Sequence, residues 1–385
     1  MATKIDLQKL VHEIGPGFAD TAAEHDETEA FVDDNYDVLK QHRVFSAMVP
    51  LELGGGGATY SEMTAFIRTL ASYCSSTALA LSMHQQLVAN AVFNYRNDRP
   101  GWKVLEKVAA SEIVLITTGS NDWLESNGAV ERTEGGYLVS AKKPFASGSP
   151  RGGVLVTSAP YEDPTEGWQV LHFPVPFASE GVSSLDDWQT LGMRATGSHT
   201  VVLDKVFVPD EAVVLKRPRG EYHPMWNAVL TNAMPLVTSA YVGVAEAAAE
   251  IATEVARKRP GNPETPYLLG EMTNSLTTAQ MALDAMVAIT NDWEFEPSTE
   301  TANAILVRKT IAANAVLAVV GKAMEVAGGA SFYRKAGLER LLRDAHGVRY
   351  HPLPEKRQHQ FTGRLALGLD PIGEDLHPSL RAAAA

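Results

Sequence analysis

The stretch "KKPFASGSP", Lys142 to Pro150, follows the alternating run "GGYLVSA" and ends it on a bulky ring and three small residues. Such an ending has two readings. It is an ordinary strand end, or it is a platform where a large flat group packs with the Ser147 hydroxyl pointed at it. Histidines offer the other chemistry, because their charge changes near neutral pH. His84 lies in "ALALSMHQQL", on a helix face otherwise mostly Ala, Leu and Met. A hydrogen-bonded core histidine is the competing reading there. His351, in "RYHPLPEK", competes with a plain loop histidine. His346 precedes Gly347 near a helix end, where a cation suits the dipole, and reads as structural. His359, in "KRQHQF", reads as a surface or subunit-contact residue. Cys74 is the single cysteine, so neither a disulfide nor a thiolate metal site can form within one chain, and no metal is expected.

These residues need a scaffold, and 385 residues suffice for two or three structural units with an ample core. A hydrophobic share of 45% and a charged share of 21% describe a soluble globular chain. The net charge of -13 argues against a nucleic-acid partner, since phosphate binding needs clustered Lys and Arg. The opening "MATKIDLQKLVHEIG" has no signal-peptide core, and the most apolar run is broken by Lys322 and Glu325. The expectation is a cytoplasmic protein without a membrane partner.

Apolar spacing predicts helices over residues 1–111, with a break near "CSST" and a cap at Thr59 or Ser61 after the turn "LGGGGA". Short β-rich runs separated by turn clusters predict a small all-β unit over 112–214. Long helical segments return over 215–385. Pro235 suits a first helical turn, and Ser239, Ala240, Gly243 and Ala247 form a stripe that lets another helix approach. The fold class is therefore mainly α with a central β domain.

Several stretches in this order resemble the acyl-CoA dehydrogenase superfamily, from about residue 40 to 370. They are "VPLELGGGGATYSEM"; "LGMRATGSHTVVLDKVFVPDEAVV", with Gly192, Arg194, Thr196, Val206, Val208 and Pro209 in place; and "GG" at 328–329 before "LERLLRDA". The resemblance implies an N-terminal helical domain, a middle β-barrel and a C-terminal four-helix bundle, assembled as a homotetramer. It also implies a flavin, FAD or FMN, against the strand end, with Phe145 in the aromatic place and Ser147 in the hydroxyl place at the N5 edge. "TTGSND" resembles the loop on the flavin's pyrimidine side, without its usual Glu-Pro, which assigns Thr118 and Ser120 there. Gly328 and Gly329 match the glycine turn that reaches a neighbouring subunit's flavin. Arg257 or Arg259, and more loosely Gln280, stand near the places of that site's Arg and Gln.

An acyl-CoA dehydrogenase needs a carboxylate base. One family position for it falls on or near Pro352, and the other falls in "LTNAMPLVTSAYVG", which holds no carboxylate. Glu355 is the only nearby alternative. "RDAHGVRYHPLPEK" instead resembles the flavin-dependent monooxygenase branch typified by dibenzothiophene monooxygenase, with His351 and Lys356 matching. That branch also places a histidine of the N-terminal bundle near the flavin, a place His84 would take. His84, Ser147 and His351 then form the expected catalytic set. Oxygen chemistry on a flavin needs a dry pocket and proton donors, which His and Ser supply better than an anion. The expected function is a flavin-dependent monooxygenase acting on a small organic substrate with reduced flavin from a partner reductase. An acyl-CoA dehydrogenase using Glu355, or a non-catalytic flavoprotein that binds a partner, are the alternatives.

Overall fold

The computed structural model describes residues 4–118, 122–259 and 261–373. The first part holds α1 (Leu7–Thr28), α2 (Asp33–Gln41), α3 (Tyr60–Tyr73), α4 (Ser75–Arg96) and α5 (Val104–Ser111). Thr59, not Ser61, caps α3, in a reciprocal box with Glu62 that satisfies two orphan backbone donors. Ser61 instead bonds Asp292. Cys74 alone is extended between α3 and α4, which realises the predicted break.

Among the described residues eight strands follow: β1 (Val114–Thr117), β2 (Ala129–Thr133), β3 (Gly136–Lys143), β4 (Gly152–Asp163), β5 (Gly167–Pro176), β6 (Val182–Ser184), β7 (Val201–Pro209) and β8 (Leu215–Pro218). They make two four-stranded sheets, ordered β1-β4-β5-β8 and β2-β3-β7-β6. Among the described residues no ladder closes the two into one barrel. β1 pairs parallel with β4, and every other pairing is antiparallel. β8 lies beyond the predicted limit of 214 and pairs Leu215 to Pro218 with β5. Its "LKRP" sequence lacks an apolar alternation, so only the ladder to β5 reveals it.

The last part holds α6 (Met225–Arg257), α7 (Thr265–Thr290), α8 (Thr299–Ala327), α9 (Leu338–Ala345) and α10 (Glu355–Ala366). Three long helices, α6 to α8, pack together with the shorter α9 and α10 against them. Pro235 is a correction: it lies ten residues inside α6, not in its first turn. Its missing N–H costs one helical hydrogen bond, which the apolar packing of Ala233, Met234 and Leu236 around it offsets. Gly243 of the small-residue stripe meets α3, where an added Cβ would lie 2.0 Å from the Arg68 carbonyl oxygen. α6 and α8 are long and apolar enough to cross a bilayer, yet 94% of the most apolar stretch of α6 is buried by the protein itself.

Candidate active site

The end of β3 turns sharply. Phe145 adopts a left-handed backbone at φ 61°, uncommon for a bulky residue. Its ring is 55% exposed, although Ala146 beside it is fully buried and Ser147 is 9% exposed. The turn is clipped to the segment before β7: Ala146 N–H donates to the His199 carbonyl at 3.3 Å and Gly148 N–H to the Thr196 carbonyl at 2.9 Å. Trp188 stands edge-on to Phe145, with ring centroids 5.9 Å apart, and its indole N–H donates to the Met193 carbonyl at 3.0 Å. The Ser147 hydroxyl lies 2.7 Å from that of Ser198. An uncovered aromatic ring beside a nearly buried hydroxyl suits a flat heteroaromatic with a polar edge, so this donor set fits a flavin.

A buried ion pair supports the turn from below. Lys143, with no exposure, donates to Asp122 at 2.6 Å and to the carbonyls of Ser158 at 2.6 Å and Asn127 at 2.9 Å. Burial lowers the Lys143 pKa, opposed by Asp122. Arg217 on β8 donates to the backbone carbonyls of Leu124 at 2.7 Å and Trp123 at 3.0 Å, and to His172 at 2.9 Å. Two buried cations therefore fix the backbone of the 122–127 loop. The Thr118 hydroxyl is drawn into the same network, 2.5 Å from Asp122 and 2.8 Å from Thr157. This corrects the Thr118 assignment: its hydroxyl is spent on Asp122 and is not presented to a ring. Ser120 lies outside the described residues.

His351 follows α9 and is held from two helices. The Tyr241 hydroxyl on α6 lies 2.6 Å from His351 Nε2. Lys309 on α8, 3% exposed, donates to the backbone carbonyls of His351 at 2.9 Å and Leu353 at 3.2 Å. Burial, with Lys309 adding to it, lowers the His351 pKa to about 3, so the ring is neutral at physiological pH. Burial lowers Lys309 itself to about 8. Gly347 is required by Tyr241, because a Cβ there would lie 2.6 Å from the phenol oxygen.

Asp344 ties α9 to the β region and to α4. It accepts the Met193 N–H at 2.5 Å and also the Ser75 hydroxyl. Gly192 fits against the same turn of α9, where a Cβ would come within 2.3 Å of the Arg343 backbone.

The acyl-CoA dehydrogenase N-terminal domain profile matches residues 7–112, and the C-terminal domain profile matches residues 236–355. Together they cover more than half of the chain. The chain belongs to the acyl-CoA dehydrogenase superfamily. Within that superfamily it is 27% identical to YdbM of Bacillus subtilis, which is named as an acyl-CoA dehydrogenase, over 88% of this chain and 91% of YdbM. It is also 27% identical to the dibenzothiophene monooxygenase of Mycolicibacterium goodii, over 90% of both. Its fold matches KijD3, solved with FMN and a dTDP-linked amino-keto sugar, with a TM-score of 0.86 and 25% identity over 98% of this chain and 96% of KijD3.

The base positions that the family resemblance implies fall on or near Pro352 and in an uncharged segment of α6. Glu355 opens α10 half-exposed, and its carboxyl is held below the usual range chiefly by Lys356, with Asn314 adding to it. The structure corrects the catalytic expectation for His84. Its Nδ1 accepts the Leu115 N–H and its Nε2 donates to the Phe45 carbonyl, both at 2.9 Å. With both ring nitrogens held by backbone, His84 braces α4 against β1 and has no atom to offer a substrate. Gly328 and Gly329 are exposed at the end of α8, where φ 60° at Gly328 favours glycine. Within one chain they belong to the C-terminal helices, and Arg259 bonds the adjacent Ala327 carbonyl at 3.2 Å. Gln280 is engaged in its own chain, donating to Glu246 at 2.6 Å. Tyr241, Lys309 and Ser198, which bond the candidate residues His351 and Ser147, were missed by sequence reasoning. Each is an ordinary residue of an apolar or turn segment, and none carries a spacing signal.

Proposed function

We propose that this chain is a flavin-dependent monooxygenase that takes reduced flavin from a partner reductase and uses O2 on a small organic substrate. The observation that carries this reading is the neutral His351–Tyr241 pair in the region where a dehydrogenase needs a carboxylate. Glu355, the displaced base, is half-exposed and its carboxyl is paired with Lys356. Support also comes from the M. goodii relative and from the FMN in KijD3.

Phe145 and Trp188 supply the platform for the flavin ring, and Ser147 faces its polar edge. Bound reduced flavin would supply the electrons for O2 activation. Tyr241 fixes one edge of His351 and Lys309 clamps its backbone, so the neutral imidazole holds a hydrogen bond in the pocket without bringing net charge into it. The Lys143–Asp122 pair and Arg217 keep the neighbouring loop rigid. Gly328, Gly329 and the exposed Phe332 and Tyr333 suit a subunit contact, consistent with a cytoplasmic homotetramer in which the glycine turn reaches a neighbour's flavin.

Two measurements test the reading. NAD(P)H, a flavin reductase and O2 should give oxygenated product from a panel of aromatic sulfur and nitrogen compounds. Anaerobic bleaching of the bound flavin by an acyl-CoA would overturn it in favour of the dehydrogenase.

A further inference from the structure

The hydroxyls behind Phe145 form one chain that ends on a group able only to accept. Ser147 Oγ lies 2.7 Å from Ser198 Oγ, which lies 2.7 Å from Thr196 Oγ1. Thr196 Oγ1 in turn lies 2.9 Å from the Met193 carbonyl oxygen. Ser147, Ser198 and Thr196 are 9%, 4% and 0% exposed, so water does not compete for these contacts. Each hydroxyl has one proton to donate and lone pairs to accept with, whereas a carbonyl has no proton.

The far end therefore sets the direction. Were Thr196 to donate to Ser198, two lone-pair oxygens would face each other at the Met193 carbonyl in a dry interior. Instead Thr196 donates to Met193, Ser198 donates to Thr196, and Ser147 donates to Ser198. The Ser147 proton is spent inward. Only its lone pairs remain for the open side next to Phe145.

We infer that Ser147 is an acceptor that makes the site selective for reduced over oxidised flavin, and that Ser198 and Thr196 are positioning residues that hold it in that state. Reduced flavin carries a hydrogen on N5 and donates to such an oxygen. Oxidised flavin presents a lone pair there and is disfavoured. The inference rests on the flavin reading above and adds the residues that set the preference for the reduced state.

Anaerobic titration with oxidised FMN and with dithionite-reduced FMN tests it. The parent should bind the reduced form more tightly by about tenfold, the size of one hydrogen bond gained or lost. Ser198→Ala removes the inner acceptor and frees the Ser147 proton to turn outward. The ratio should then collapse, chiefly because oxidised FMN binds more tightly, a gain that structural damage would not produce. Thr196→Val should shift the ratio the same way. The midpoint potential of bound FMN should fall with it, by about 30 mV for each tenfold lost from the ratio. Equal affinity of the parent for both forms, or a ratio and potential unchanged in Ser198→Ala, would overturn the inference while leaving flavin binding intact. A parent that binds neither form would overturn the flavin reading itself, and this inference with it. Ser198→Ala deletes one oxygen only, so it decides the matter even if Thr196→Val fails to fold.

Discussion

Asp344 on α9 accepts the backbone N–H of Met193 in the β region at 2.5 Å. Its second oxygen takes the hydroxyl of Ser75 at the start of α4, so one buried carboxyl joins all three parts of the chain. Met193 carries the carbonyl that terminates the Ser147 hydroxyl chain, and Asp344 lies seven residues before His351. The junction therefore ties the segment that ends the hydroxyl chain to the helix that precedes His351.

Asp344→Ala should cost about 3 kcal/mol, since it strands two buried donors. Asp344→Asn should cost much less, because the amide oxygen still accepts from Met193 and Ser75 can accept in turn. Burial raises the Asp344 pKa. The folded state thus favours the protonated form, and that contribution is lost as pH rises from about 3.9 through the raised value. Denaturant melts should show Asp344→Asn gaining on the parent across that interval.

His84 has a lowered pKa, about 4, caused by burial and opposed by its bond to Phe45. A lowered pKa gives stability that is present above the ordinary value near 6.5 and lost as pH falls toward 4. The parent should lose about 3 kcal/mol over that range from this residue. In His84→Gln that share of the acid sensitivity should vanish. Turnover at pH 7.5, per folded enzyme, should persist, because the ring nitrogens are held by backbone.

Lys309→Met removes both donors from the His351 and Leu353 carbonyls while keeping the side-chain stem. We expect a loss of about 2 kcal/mol in stability. Reduced-FMN affinity should stay near the parent value while product formed per NAD(P)H falls. A parent-like yield would show that the clamp has no bearing on His351.

Removing the Ser147 or His351 side-chain polar group should uncouple turnover. Ser147→Ala and His351→Ala should consume NAD(P)H with a reductase and release hydrogen peroxide in place of oxygenated product. For His351, the loss of a general acid–base group corresponds to about 10²–10⁴-fold in rate. Peroxide and product assays on the same sample give the ratio directly.

Glu355→Gln should leave monooxygenase turnover unchanged, since this carboxyl is paired with Lys356. A collapse of activity would restore Glu355 as a displaced base.

The sequence by itself determined the order helical, β, helical and the turn "PFASG", because periodicity and turn chemistry are local. It also determined what the site lacks, since Pro352 can bear no proton wherever it sits. It did not reveal β8, whose "LKRP" has strand status only through its ladder to β5. Nor did it show that Pro235 lies inside a helix, because burial overrides the local cost of a missing N–H. The histidines divided on tertiary grounds alone. His84 and His351 are equally eligible by residue type, yet the backbones of Phe45 and Leu115 claim both nitrogens of one, while Tyr241 meets only Nε2 of the other. The same is true of the hydroxyls. Ser147 is visible in "FASG", but the direction of its proton depends on Ser198, 51 residues away, and on a carbonyl at Met193. Hydrogen-bond direction in a dry interior is set by the whole network, and only the tertiary fold assembles one.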